Sequence, residues 1–176
     1  MVGHSFGGLF VQLLLARGLG AGGIAIDPGP IAGVIPGPLS LAAAAPILLR
    51  LGGWNRPYLI SRPAFDKNFA NCAPPEQRAA AYEKLVVPTS GRIFFQAALS
   101  LGTAARPRHR TQPLLITVGE KDRTVSPAVA RQAYRIQRKS LAPTTFKQFP
   151  AHSHFLIGEP GWEQVADYCV AWARHG

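Results

Sequence analysis

Gly3-His4-Ser5-Phe6-Gly7, running directly into the apolar stretch from Gly8 to Ala16, is the segment on which the fold turns. It has the form Gly-x-Ser-x-Gly, in which a serine sits on a cramped turn between a strand and a helix. The serine of such a turn takes a strained backbone conformation. The residues two places to either side are therefore expected to lack bulk where strand and helix pass closely. Gly8 extends the small-residue run. In this geometry the Ser5 hydroxyl points out at a helix N-terminus and the Phe6 N–H is placed to stabilise an oxyanion. In a chain with 18 glycines the motif also fits a plain glycine turn, so its meaning rests on partners elsewhere.

A nucleophilic serine needs a base to take its proton and a carboxylate to orient that base. Pro113 to Val118 is an apolar, β-rich run, and Gly119-Glu-Lys-Asp122 puts an acid on the loop that follows it. Thr144 to Phe149 alternates like a strand, and Pro150-Ala-His-Ser-His154 is the next loop. An acid and a histidine at separate strand ends can meet a serine above the carboxyl edge of a parallel sheet. Asp27, after the apolar Gly23 to Ile26, competes with Asp122 for the acid, and His152 competes with His154 for the base. Asp27 also reads as an Asp-Pro-Gly turn, and Asp122 as part of a turn into a helix begun by Ser126-Pro127.

Gly3 to Gly8, Val118-Gly-Glu-Lys-Asp122, Ala151-His-Ser-His-Phe155 and Gly158-Glu-Pro-Gly-Trp-Glu163 together give the chain its resemblance to the α/β-hydrolase superfamily, specifically its cofactor-free serine hydrolases. The resemblance spans nearly the whole chain and is weakest between Pro36 and Arg110, where such proteins carry a variable lid. It implies an α/β fold, a mostly parallel sheet with flanking helices and a helical lid insertion. It also implies a Ser5/Asp122/His154 triad with Phe6 at the oxyanion and no cofactor. Separately, the histidines show no recognised ligand spacing with Cys72 or Cys169, so no metal site is expected. By analogy the base precedes a hydrophobic pair and the last helix, which favours His154 over His152, and the loop context favours Asp122 over Asp27.

The implied activity is esterase- or lipase-like cleavage of a small or medium apolar ester. Amide, lactone and peroxide chemistry on the same residues stay open. Superfamily members normally carry several strands and helices before the elbow, whereas only Met1 and Val2 precede Gly3. The expectation is therefore the C-terminal part of a hydrolase, with its second oxyanion donor missing. Its exposed sheet edge would suit a missing N-terminal half or an oligomer partner. The alternative is a non-catalytic hydrolase-like fragment that binds a ligand or a partner.

Within one domain, residues 1–35 read as elbow, helix and following strand, 36–110 as the lid, and 111–176 as the C-terminal core carrying the acid and histidine loops. The 47% hydrophobic and 16% charged composition of 176 residues suits a globular chain with a sizeable core. The net charge of +10 is spread along the sequence, with local clusters at Arg106 to Arg110 and Arg131 to Lys139. With no stacking motif or basic recognition helix, it reads as a solvated basic surface and excludes a nucleic-acid partner. Cys72 and Cys169 lie far apart, and no secretory signal is evident, so reduced thiols in the cytoplasm are expected.

Residues 28–49 carry no charge, but their five prolines argue against a membrane span and for an apolar lid. With Phe65, Phe69 and Val86 to Arg92, this segment is expected to wall a hydrophobic pocket over Ser5. The helix after the elbow reads as apolar nearly all round and stopped by Gly18 and Gly20. Trp162, Val165, Ala166, Cys169, Val170 and Ala173 form a helical stripe expected to face the core. His4 is expected to pack beneath the elbow, and His109 and His175 to be solvated.

Overall fold

The computed structural model describes residues 1–175. The His175 side chain, expected in solvent, lies outside what is described. The chain runs β1 (Val2–His4), α1 (Phe6–Leu15), β2 (Gly23–Ile26), α2 (Pro38–Leu48), β3 (Pro57–Tyr58), α3 (Arg62–Ala64), α4 (Pro75–Leu85), β4 (Thr89–Ser90), α5 (Gly91–Ala98), β5 (Leu114–Gly119), α6 (Pro127–Gln137), β6 (Thr144–Phe149) and α7 (Trp162–His175). β1, β2, β5 and β6 form one parallel sheet in that order. β3 and β4 form a small antiparallel ribbon in the long β2–β5 connection.

β5 is buried along its whole length, as a central parallel strand covered on both faces must be. Its side chains alternate. Leu114, Ile116 and Val118 join Leu9, Val11, Leu15, Val129 and Ala133 in the layer under α1 and α6. Leu115 joins Ile24, Phe149, Val165 and Cys169 in the layer under α7. The period of two thus divides one apolar run between two cores. Because all four strands are parallel, the loops after them open at one end of the sheet. Ser5, Asp27, Asp122 and His154 each lie just past one of these strands.

Two helix faces depart from the sequence reading. α1 is not apolar-buried all round: Phe10 is 47% exposed while Leu9, Val11 and Leu15 are buried, because the sheet covers a single face. α1 ends at Leu15 in a Schellman-type turn, with Leu19 N–H on Leu14 O and Gly18 at φ +77°. On α7 the buried stripe is Val165 and Cys169, completed by Tyr168 and Trp172, whereas Trp162 and Val170 face solvent. The Trp172 indole N–H donates to Thr145 Oγ1 at 3.1 Å, which rotates the stripe toward β6.

Arg110 departs from the reading of its cluster as solvated surface. It is fully buried, with Nη2 donating to Gln137 O at 3.1 Å, Nε to Gln137 Oε1 at 3.2 Å and Nη1 to Pro143 O and Gln112 O. The guanidinium thereby occupies the carbonyl end of α6. Burial pushes its pKa down to about 10, so it is still charged at neutral pH. His109 beside it is exposed.

Candidate active site

Ser5 lies between β1 and α1 with φ +54° and ψ −119°, a conformation side chains rarely adopt. The turn around it is closed by hydrogen bonds. Ser5 N–H donates to Ile26 O at 2.9 Å, and Ser5 O accepts from Gly29 N–H at 2.9 Å and Leu9 N–H at 3.1 Å. The two flanking glycines are not equivalent. A Cβ on Gly3 would overlap the Gly7 carbonyl, whereas a Cβ on Gly7 would meet only open space. Bulk is excluded at Gly3 and again at Gly8, where a Cβ would come within 3.0 Å of Pro28.

Ser5 Oγ is 2.9 Å from His154 Nε2, and His154 Nδ1 is 2.7 Å from Asp122 Oδ2. The other Asp122 oxygen accepts from the N–H groups of Thr124 at 2.7 Å and Val125 at 2.8 Å, which fixes the carboxylate plane. His154 is wholly buried and Asp122 nearly so. The Phe69 ring stands edge-on to His154 with centroids 4.7 Å apart, shielding the imidazole from water.

His152 is not at the serine. Its Nδ1 lies 2.8 Å from Pro150 O and its ring packs toward Phe149. His4 Nε2 donates to His154 O at 2.8 Å, so His4 supports the histidine loop from below. Burial, and then the neighbouring His154, lower the His4 pKa to about 3 and keep the ring neutral. Asp27 is fully buried at the end of β2 with φ +42°. Its Oδ1 accepts from Gly119 N–H at 2.8 Å, and its Oδ2 stands 4.0 Å from both His154 Nδ1 and His4 Nε2. Burial, and secondarily the charge on Asp122, raise its carboxyl well above the ordinary range. Ligand atoms of His4, Asp27 and His154 lie within 4.8 Å of one another. The nitrogens a metal would take are already engaged with His154 O, Ser5 and Asp122.

Sequence reasoning missed Glu159. It is buried, accepts from Ser153 N–H at 2.6 Å and from the Ser153 hydroxyl, and so clamps the residue before His154. Ser153 Oγ in turn accepts from Phe155 N–H at 3.2 Å, tying both sides of the histidine. The only sequence signal was an acid five residues after His154, ahead of Pro160.

The β2–β5 connection is pinned to both loops: Gln77 Nε2 donates to Gly158 O at 2.7 Å, and Thr124 Oγ1 to Asn68 O at 3.0 Å. Between it and the sheet lies a chamber of about 240 Å³ that includes Ser5 and Phe6 in its wall, with Leu41, Ala44, Phe69, Val87 and Phe94 among the rest. No charged side chain lines it among the described residues. Phe65 is not part of this wall: it stacks behind Phe69, centroids 5.1 Å apart, in a separate cluster with Tyr82 and Phe155.

Residues 1–168 match the family model described as the alpha/beta hydrolase family. The chain belongs to that family. Solved structures of the same fold include a monoacylglycerol lipase from Paleococcus ferrophilus, with 20% identity, a TM-score of 0.69, and 97% of this chain against 66% of that one. The monoglyceride lipase of Saccharomyces cerevisiae, a soluble variant, has 16% identity and a TM-score of 0.72 over 98% of this chain and 60% of its own. The esterase RhEst1 from Rhodococcus has 20% identity and a TM-score of 0.60 over 99% and 65%. At these identities the likeness is one of fold, and this alpha/beta hydrolase spans about 60% to 66% of the length of these structures. No curated protein matches it. No described helix of this family member is long and apolar enough to cross a membrane.

Proposed function

We propose that this chain is a serine hydrolase acting on small or medium uncharged esters with an apolar acyl group. The observation that carries the reading is the unbroken chain of hydrogen bonds from Ser5 Oγ through His154 to Asp122, opening into a chamber without charged groups. Ser5 Oγ attacks the ester carbonyl while His154 Nε2 takes its proton, and Asp122 holds the His154 Nδ1–H. The Phe6 N–H, in the unpaired first turn of α1, faces the developing oxyanion. The alcohol leaves with the proton from His154. Water then adds to the acyl-Ser5 carbonyl, giving its proton to the same nitrogen, and Ser5 departs with it as the acid is released. Residues 36–110 act as a lid that selects the acyl group. The lipases and the esterase among the structural relatives support the substrate class, and the free thiols of Cys72 and Cys169 suit the cytoplasm.

Nitrophenyl esters of increasing acyl length and a fluorophosphonate probe test the reading. Labelling of Ser5 and ester turnover, both abolished by Ser5→Ala, are expected; equal turnover in Ser5→Ala sinks it. A second reading, a hydrolase-like chain that binds a partner without turnover, draws on the outer edge of β1, where Val2 is 67% exposed and Phe10 of α1 is 47% exposed. An unlabelled Ser5 in a folded chain that forms a stable complex through this edge favours it.

A further inference from the structure

The Asp27 carboxyl has no place in the steps above, yet it is wholly buried at the end of β2 beside them. One oxygen is satisfied by Gly119 N–H, and Oδ2, which no N–H reaches, can be satisfied only by carrying a proton toward the Asp122 carboxylate. A charged carboxylate with one oxygen beyond the reach of any donor is disfavoured in a buried site, and a protonated one is not. That oxygen lies 4.0 Å from the nitrogen of His154 that Asp122 holds at 2.7 Å. Two carboxylates close to one imidazole cannot both ionise cheaply, so one keeps its proton. The amide donors on Asp122, from Thr124 and Val125, leave the charge there and the proton on Asp27.

The groups facing Asp27 are few. His4 from β1 points Nε2 at it from 4.0 Å but donates to His154 O. Asp122 and Gly119 face it from the β5 end, and His154 with the carboxylate of Glu159 from the loop after β6. None of these is a standing cation. A positive charge comes to this pocket only when His154 takes the Ser5 proton, and Asp122 already answers it.

We propose that Asp27 is a reserve acid: neutral beside an intact Asp122, it ionises and takes over the orientation of His154 Nδ1–H when Asp122 is lost. This rests on the Ser5–His154 reading above. The Oδ2 atom has to approach by roughly 1 Å to reach hydrogen-bond distance, and truncating Asp122 opens the space. The proton it gives up passes to solvent, and the single negative charge of the site moves from one strand end to the next. Asp27 acts on His154 and never on substrate, so it is a positioning residue.

Two measurements test this on the full chain. In the first, the rate of Ser5 labelling by a fluorophosphonate is followed against pH in Asp122→Ala, Asp27→Asn and the double variant. Asp122→Ala is expected to lose about 10²-fold and the double variant about 10⁴-fold, the usual scale for an unoriented triad histidine, with Asp27→Asn alone costing less than Asp122→Ala. In Asp122→Ala alone, the rate should rise through an added step as Asp27 ionises. The second reads the downfield imidazole N–H proton of His154 by NMR, assigned by its loss in His154→Ala, and needs no turnover. It should persist in Asp122→Ala and vanish in the double variant. Asp27→Gly, which suits the positive φ, stands in if Asp27→Asn does not fold. A double variant with the rate and resonance of Asp122→Ala overturns the proposal, as does the absence of the resonance from Asp122→Ala. An unlabelled wild-type Ser5 beside a resonance that follows this pattern counts against the hydrolase reading instead.

Discussion

Gly3 and Gly7 oppose each other across the Ser5 turn so closely that the Gly3 Cα hydrogen occupies the last space before the Gly7 carbonyl. The pair makes the elbow a one-sided constraint. Gly3→Ala is expected to force β1 and α1 apart and cost about 3 kcal/mol or more, whereas Gly7→Ala gains about 0.5 kcal/mol from helix propensity. Urea melts of the two variants check this, and equal losses for both would contradict the geometry.

Ala44 shares the wall of the chamber with Leu41 and Phe94. Ala44→Phe should lower kcat/KM for a long acyl ester by about 10- to 100-fold relative to an acetyl ester, since each filled methylene site carries about 1–3 kcal/mol of discrimination. An unchanged chain-length profile places the acyl group elsewhere.

Glu159 holds Ser153 by its N–H and hydroxyl, one residue before the imidazole. Replacing it by glutamine keeps the volume and turns one acceptor into a donor. With His154 as the base proposed above, turnover should fall by about 10-fold through kcat with KM little changed, because small displacements of such a group act on the transition state. A rise in KM alone would assign Glu159 to the pocket wall instead.

Arg110 closes α6 with a planar fork that reaches several carbonyls at once. Arg110→Met strands those oxygens and should cost about 3 kcal/mol. Arg110→Lys should not restore it, because an ammonium cannot span the same acceptors. Denaturant midpoints decide, and full rescue by lysine refutes the role of the fork.

His4 and Asp27 give stability opposite slopes with pH. The unfolded His4 binds a proton below 6.5 and the folded one only below about 3, so His4 withdraws stability as pH falls through that window. Asp27 keeps its proton folded when the unfolded chain has lost it above 3.8, so its contribution declines as pH rises from there through its raised folded pKa. Thermal melts should show His4→Gln flattening the acid limb and Asp27→Asn gaining on the wild type as pH rises. Parallel curves for variant and wild type would remove the coupling.

Gly-x-Ser-x-Gly, the apolar run ending at Gly119 and the alternating Thr144 to Phe149 were legible because each is local: a turn, a buried strand and a period of two are written in consecutive residues. By the same logic Asp27, Asp122 and His154 could be named as strand-end residues. Which acid lies 2.7 Å from the imidazole and which 4.0 Å was not written there, since it depends on how far each loop folds back over the sheet. Glu159, Arg110 and the true buried stripe of α7 were hidden for a related reason. Their partners lie on other elements, and a charged residue is read as solvated until the fold encloses it. Local stereochemistry settled which elements form, and packing among distant segments decided which polar groups lost their water and what they had to hold in its place.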